Sequence, residues 1–166
     1  MSATHWRVGD SRGRYITPPT AVIPKRYSVD TNILVYAVDR DAGEKRKQAV
    51  ELLDALVTED CVLSLQALAE FFHVVTRKGK VPAQEAQAIV DDWAVLFPVV
   101  GAESRHLQTA MGWMKKGVFS FWDGLLFATV NGAGVTHLLT EDMQHGFEIA
   151  GTQVVHPFGE NGTGVI

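Results

Sequence analysis

Short apolar runs alternate with amphipathic helical segments along most of this 166-residue chain, and that alternation leaves few folds open. Residues 26–29 begin a run that ends at Asp30, and 32–38 continue as an apolar segment. A helix is predicted over 44–57, where Ala49, Leu52, Leu53, Leu56 and Val57 share one face. Residues 61–65 read as an apolar strand, followed by a helix from 66 to about 77. Pro82 suits the first position of the next helix, where its missing N–H is not needed. Ala86, Ile89, Val90, Trp93 and Phe97 form the inward stripe of that helix. A helix over 104–116 turns Leu107, Met111 and Met114 inward and stops at Gly117. Ser120 opens another, running to about Asn131 before Gly132 and Gly134; 135–139 and 152–155 read as strands. Strands this short and apolar, joined by helices, are buried on both faces. The expected fold is therefore α/β: a three-layer α/β/α sandwich with a central parallel sheet.

Composition narrows the class. Hydrophobic residues make up 46% and charged residues 20%, an ordinary balance for a soluble globular domain. No apolar run approaches the roughly 18 residues that span a bilayer, so no membrane is expected. Residues 1–25, with Arg7, Arg12, Arg14, Pro18 and Pro19, lack the apolar stretch of a secretory signal and read as a loosely ordered leader. The domain is expected over 26–158 and a flexible tail over 159–166. The one cysteine, Cys61, has no internal partner and is expected as a buried free thiol, which fits the cytoplasm. Net charge is −4, from 19 acidic and 15 basic residues. That argues against a protein that grips nucleic acid over its whole surface, and leaves room for an acidic site.

Ligands of open parallel sheets bind beyond the carboxyl ends of the strands. Asp30 closes the first strand, Glu70 lies in the first helical turn after the second, and Asp142 follows the strand ending at Leu139. Asp123 joins them from the first turn of the helix that Ser120 opens. Oxygen-rich clusters of this kind suit Mg²⁺ or Mn²⁺, and without a cation the carboxylates would repel and partly protonate. Three of these residues also have a plainer reading. Ser120 to Asp123 matches a capping box, Asp30-Thr31-Asn32 an Asx-turn, and Glu141-Asp142 a solvated turn. Glu70, set among Leu68, Ala69, Phe71 and Phe72, has no such reading, because a carboxylate there needs a partner. The six histidines show no metal-ligand spacing.

The order of these segments resembles the PIN-domain family. Tyr27-Ser28-Val29-Asp30-Thr31-Asn32-Ile33-Leu34 resembles its opening motif and Gln66-Ala67-Leu68-Ala69-Glu70-Phe71 its second. Phe119-Ser120-Phe121-Trp122-Asp123-Gly124-Leu125-Leu126 resembles the third, Leu138-Leu139-Thr140-Glu141-Asp142-Met143 the fourth, and Val155-His156-Pro157-Phe158 the usual close. The resemblance implies a metal-dependent ribonuclease with Asp30, Glu70, Asp123 and Asp142 as catalytic metal ligands, supported by Asn32 and Thr140. It further implies the toxin half of a toxin–antitoxin pair of the VapC group: RNA as substrate, a small antitoxin as partner, and a homodimer. An RNA-processing nuclease and a non-catalytic binding domain are the alternatives.

Candidate RNA contacts are Arg77, Lys78 and Lys80 in one loop, and Lys115 and Lys116 before the third motif; each also suits a helix C-terminus. Trp93 and Trp113 are expected in the core. A haloacid-dehalogenase-type phosphatase would need a second aspartate where Asn32 stands, and a receiver domain a lysine after a later strand.

Overall fold

A computed structural model describes residues 24–158. The expected leader and tail, with Arg7, Arg12 and Arg14, fall almost wholly outside that range. The elements run β1 (Tyr27–Val29), α1 (Thr31–Val38), a 3-10 turn (Arg40–Ala42), α2 (Glu44–Leu56), β2 (Leu63–Ser64), α3 (Leu65–Arg77) and α4 (Ala83–Leu96). They continue as β3 (Val99–Val100), α5 (Ser104–Lys115), α6 (Phe121–Gly132), β4 (His137–Leu139), β5 (Glu148–Ile149) and β6 (Thr152–Val155).

The main sheet has the order β1-β4-β6-β5, and β2 pairs with β3 in a second sheet. A single parallel bridge, Tyr27 to Cys61, carries the second sheet on from the free side of β1. Its bonds are Tyr27 N–H to the Asp60 carbonyl (2.8 Å) and Val62 N–H to the Tyr27 carbonyl (3.0 Å). Successive strand residues point to opposite faces, and the core divides accordingly. Leu63, Leu139 and Val155 pack with Ile33, Leu34, Leu56 and Phe71 on one side. Their neighbours Val62, Leu138 and Val154 pack with Leu126, Phe127 and Val130 on the other. Two apolar layers on one sheet make the three-layer α/β/α sandwich.

The structure corrects several details. β3 and β5 were not expected, because two-residue strands carry no usable periodicity. β5 runs antiparallel to β6, so the sheet is parallel except at that edge. Pro82 caps α4 from extended backbone (ψ 145°) instead of occupying its first turn. In α2, Ala49, Leu53 and Leu56 are buried and Leu52 packs beside them, whereas Val57 lies past the helix and is exposed.

The largest difference is the rotation of α5. Leu107 and Met114 face solvent, 39% and 55% exposed, and His106 and Ala110 are buried in their place. Helix α5 meets α6 at small residues: a side chain on Gly124 would sit 3.5 Å from the Ala110 backbone. At the other end, the His106 ring fills the space a side chain on Gly132 would need. His106 is anchored there, since its Nδ1 accepts the Glu103 N–H at 3.0 Å. Close backbone approach thus outweighs the burial of two flexible apolar side chains.

Gly132→Ala is therefore expected to destabilise the protein by about 1–3 kcal/mol, although alanine favours helix more than glycine. Chemical denaturation measures this, and His106→Ala in the same chain should restore part of the loss. A Gly132→Ala midpoint equal to or above wild type would show that the ring does not lock the pair.

Candidate active site

The parallel ladder aligns Val29 with Leu139 and Leu139 with Val155, so the residues that follow form a row beyond the strand ends. Asp30 and Thr140 are the first two members, fixed by Asp30 N–H to the Leu139 carbonyl (2.9 Å) and Thr140 N–H to the Val155 carbonyl (3.1 Å). Asp30 also caps α1, accepting the Thr31 N–H on Oδ1 at 2.6 Å. Its Oδ2 accepts the Thr140 hydroxyl at 2.7 Å.

Thr140 is fully buried, and its hydroxyl has no freedom left. It accepts from Asn32 Nδ2 (3.1 Å) and from the Asp142 N–H (3.1 Å), so its single proton points to Asp30. Asn32 thereby has its donor satisfied, but its buried Oδ1 has no partner. Asp142 itself is exposed, with its backbone tied to this network.

Asp30 is only 7% exposed. Burial pushes its carboxyl up to about 6; hydrogen bonds from Thr140 and Thr31 oppose this, and the charges of Asp142 and Glu70 add to it. Desolvation thus dominates, with carboxylate repulsion the smaller cause.

Glu70 lies in the second turn of α3, one turn later than the sequence suggested. Its Oε1 accepts from Gln66 Nε2 at 2.9 Å, and its Oε2 faces the Thr31 hydroxyl at 3.4 Å. Gln66 also donates to the Trp122 carbonyl at 3.1 Å, joining α3 to the start of α6. Asp123 follows, its Oδ2 accepting the Ser120 hydroxyl at 2.7 Å. Ser120 caps α6, but the reciprocal half of a capping box is replaced by this side-chain bond.

The structure therefore brings Asp30, Asn32, Thr140 and Asp142 together directly, and Glu70 through Thr31. Among the described residues, the hydrogen bonds that join Asp123 to them run through Gln66 and the Trp122 backbone. Among the described residues, no three acidic, histidine or cysteine side chains converge as a metal-ligand group. The donor set nonetheless suits a hard, hydrated cation: carboxylate oxygens, plus the orphaned acceptors Asn32 Oδ1 and Gln66 Oε1, which lack donors that bound water supplies. Thr31 and Gln66 are the supporting residues that sequence reasoning missed. The signal for Gln66 was its i, i+4 spacing to Glu70.

Beside Glu70 lies an open groove of about 890 Å³, lined by Leu65, Gln66, His73, Trp122 and Leu125 among others. None of the expected RNA contacts lines this groove. Arg77 and Lys78 end α3 and Lys115 and Lys116 end α5, all exposed. Lys80 is committed to Asp39 at 2.5 Å, which holds the Asp39 carboxyl below its usual range. Trp93 packs edge-on against Phe71, and Trp113 against Phe119 and Phe127, as core residues do.

The raised Asp30 pKa fixes a pH dependence. Below the ordinary value of 3.8 both folded and unfolded chains hold the proton. As pH rises, the unfolded chain releases it first, so stability is lost until the folded group also ionises near 6. In chelator, the stability of Asp30→Asn relative to wild type should rise across this window by at most about 3 kcal/mol. Denaturant titrations from pH 3.5 to 7 test it; parallel curves for the two proteins would refute the shift.

Comparison with known proteins agrees with this architecture. The PIN domain family matches residues 27–148, while no curated protein sequence matches the chain. A toxin–antitoxin complex from Klebsiella pneumoniae is similar with a TM-score of 0.58 at 19% identity, covering 80% of this chain and 98% of that one. VapC20 of Mycobacterium tuberculosis, described as a Sarcin-Ricin loop cleaving toxin, gives 0.56 at 15% identity over 68% of this chain and 86% of its own. DNA-bound VapBC from Salmonella typhimurium gives 0.57 at 16%, with 78% and 96% covered. At these identities the likeness is one of fold. The family match, by contrast, spans most of the sequence and takes in Asp30, Glu70, Asp123 and Asp142: this chain belongs to the PIN-domain family.

Proposed function

We propose that the chain is a divalent-metal-dependent endoribonuclease and the toxin of a toxin–antitoxin pair. The observation that carries the nuclease reading is the Asp30–Thr140–Asn32 network at the carboxyl edge of the sheet, with Asp142 and Glu70 close enough to act on Asp30. The toxin reading rests on family membership and on fold similarity to VapC20 and to VapBC and FitAB complexes. A small antitoxin and a second copy of the chain are the partners this reading entails, and the cytoplasm is its place of action.

Asp30, Glu70, Asp123 and Asp142 would hold Mg²⁺ or Mn²⁺. Such an ion lowers the pKa of a bound water and stabilises charge on the phosphodiester oxygens. The chain's own contribution is positional. Thr140 keeps Asp30 Oδ2 an acceptor, which favours the ionised form. Asn32 Oδ1 presents an acceptor to water entering the site. Asp142, whose side chain makes no hydrogen bond among the described residues, would have its carboxylate open to the ion. Gln66 holds Glu70 while fastening the helix that carries Asp123.

Asp30→Ala, Glu70→Ala and Asp123→Ala should each lower Mn²⁺-dependent RNA cleavage by at least about a hundredfold while the protein stays folded. Undiminished cleavage by Asp30→Ala, in a preparation free of other nucleases, would sink the reading. Asp123→Asn should also gain less thermal stability from added Mn²⁺ than wild type. Equal gains would reduce Asp123 to a helix-start residue. Expression of wild type alone should arrest growth of its host and Asp123→Asn should not; normal growth at high levels of active enzyme would assign the nuclease to RNA processing.

A further inference from the structure

Among the described residues, Arg26 pairs with Asp60, Lys45 with Glu141, Lys80 with Asp39 and Arg105 with Glu103. The exposed Arg77, Lys78, Lys115 and Lys116 at helix ends form no ion pair among the described residues, and neither do the exposed Arg40, Arg46 and Lys47. The last three do not lie scattered. Together with Gly43, Val50 and Glu51 they line one concave pocket of about 380 Å³. The chain makes it by reversing at Gly43, whose φ of +59° favours glycine, so that the start of α2 comes to face Arg40. Glu51 is the one carboxylate on this lining, against three cations. Asp39 and Asp41, the chain neighbours of Arg40, both face Lys80, at 2.5 and 3.9 Å.

The pocket is tied to the acidic edge. Lys45, next to Arg46 in sequence, bonds Glu141 at 2.7 Å, and Glu141 immediately precedes Asp142. Asp30 caps the near end of α1 and Arg40 lies just past its far end, the helix of eight residues between them being about 12 Å long at the helical rise. A polyanion entering the site meets carboxylates and a chain of net charge −4. Its affinity must come from cations set apart from the cluster. Exposed guanidinium groups suit phosphate oxygens, because their paired N–H donors match that geometry.

We propose that Arg40, Arg46 and Lys47 form a docking face for the phosphate backbone of single-stranded RNA flanking the point of cleavage. The inference rests on the nuclease reading above, and it gives the substrate a path: over α2, past Lys45 and Glu141, to Asp142 and Asp30. The face supplies backbone affinity and no base recognition.

The test is a salt series of fluorescence anisotropy with a labelled, unstructured RNA oligonucleotide in chelator, comparing wild type with Arg40→Ala/Arg46→Ala/Lys47→Ala. Each lost phosphate contact on a single strand lowers the slope of log affinity against log salt by about 0.7, so the variant's slope should be shallower by about 2. Its affinity at low salt should fall by about tenfold or more, with the melting temperature unchanged. In Mn²⁺, kcat/KM should drop while cleavage at saturating RNA persists. Should the triple variant fail to fold, Arg46→Ala alone should lower the slope by about 0.7. Binding in chelator needs no cleavage, which separates the two claims. A wild type that binds with the steeper slope yet cuts nothing keeps the face and discards the nuclease reading; equal slopes discard the face whatever the enzyme cuts. Unchanged RNA curves with lost binding to poly-glutamate would assign the pocket to an acidic protein and overturn the proposal.

Discussion

A carboxylate with 7% of its surface exposed keeps its charge only while donors surround it, and Asp30 has two: the Thr31 N–H and the Thr140 hydroxyl. The second depends on the whole sheet. Thr140 reaches Asp30 because β4 lies beside β1 in register, and it is held in place on its other side by β6. Its proton is aimed because Asn32, in the first turn of α1, and the Asp142 N–H occupy both of its lone pairs. A shift of one residue in the pairing would leave a buried charge facing apolar side chains. The requirement to satisfy one carboxylate thus couples strand register, the start of α1 and the loop after β4.

Charge is distributed so that attraction and reaction occur at different places. The acidic edge is short of donors: Asn32 Oδ1 and Gln66 Oε1 are both buried acceptors with no partner. The cations are elsewhere, at helix ends and around the start of α2. One ion pair, Lys45 to Glu141, spans the two regions, and the bond to Glu141 raises the Lys45 pKa. The same lysine lies over the Tyr36 ring at 4.8 Å, so its position is set from two sides.

The alternation of strands and helices was legible because each helix and long strand carries its own periodicity. β3 and β5 were not, since a pair of residues becomes a strand only when a neighbour supplies the ladder. The rotation of α5 was hidden for another reason: hydrophobic pattern names Leu107 and Met114, but the fit of Ala110 against Gly124 decides. At the site, Asp30 and Asp142 could be read from their places beyond strands, because a parallel sheet brings strand ends together, whereas Asn32 and Thr140 came only with the family resemblance. Among the described residues, the hydrogen bond that brings Asp123 to the region is that of Gln66, a contact between helices distant in sequence. Arg40, Arg46 and Lys47 escaped notice because charge runs usually mark solvated surface, and only the turn at Gly43 gathers them.

The seam between the two sheets is a single bridge, and Cys61 stands on it, 3% exposed. Burial, with the nearby charge of Asp60, pushes its thiol up to about 12, so the nucleophilic thiolate is scarce in the folded protein. Its side chain belongs to the apolar layer of Leu53, Leu56 and Phe71, so oxidants and alkylating reagents reach that sulfur only when this layer opens. The residue is thus a built-in clock for that local opening: its labelling rate counts how often the layer lifts from the sheet.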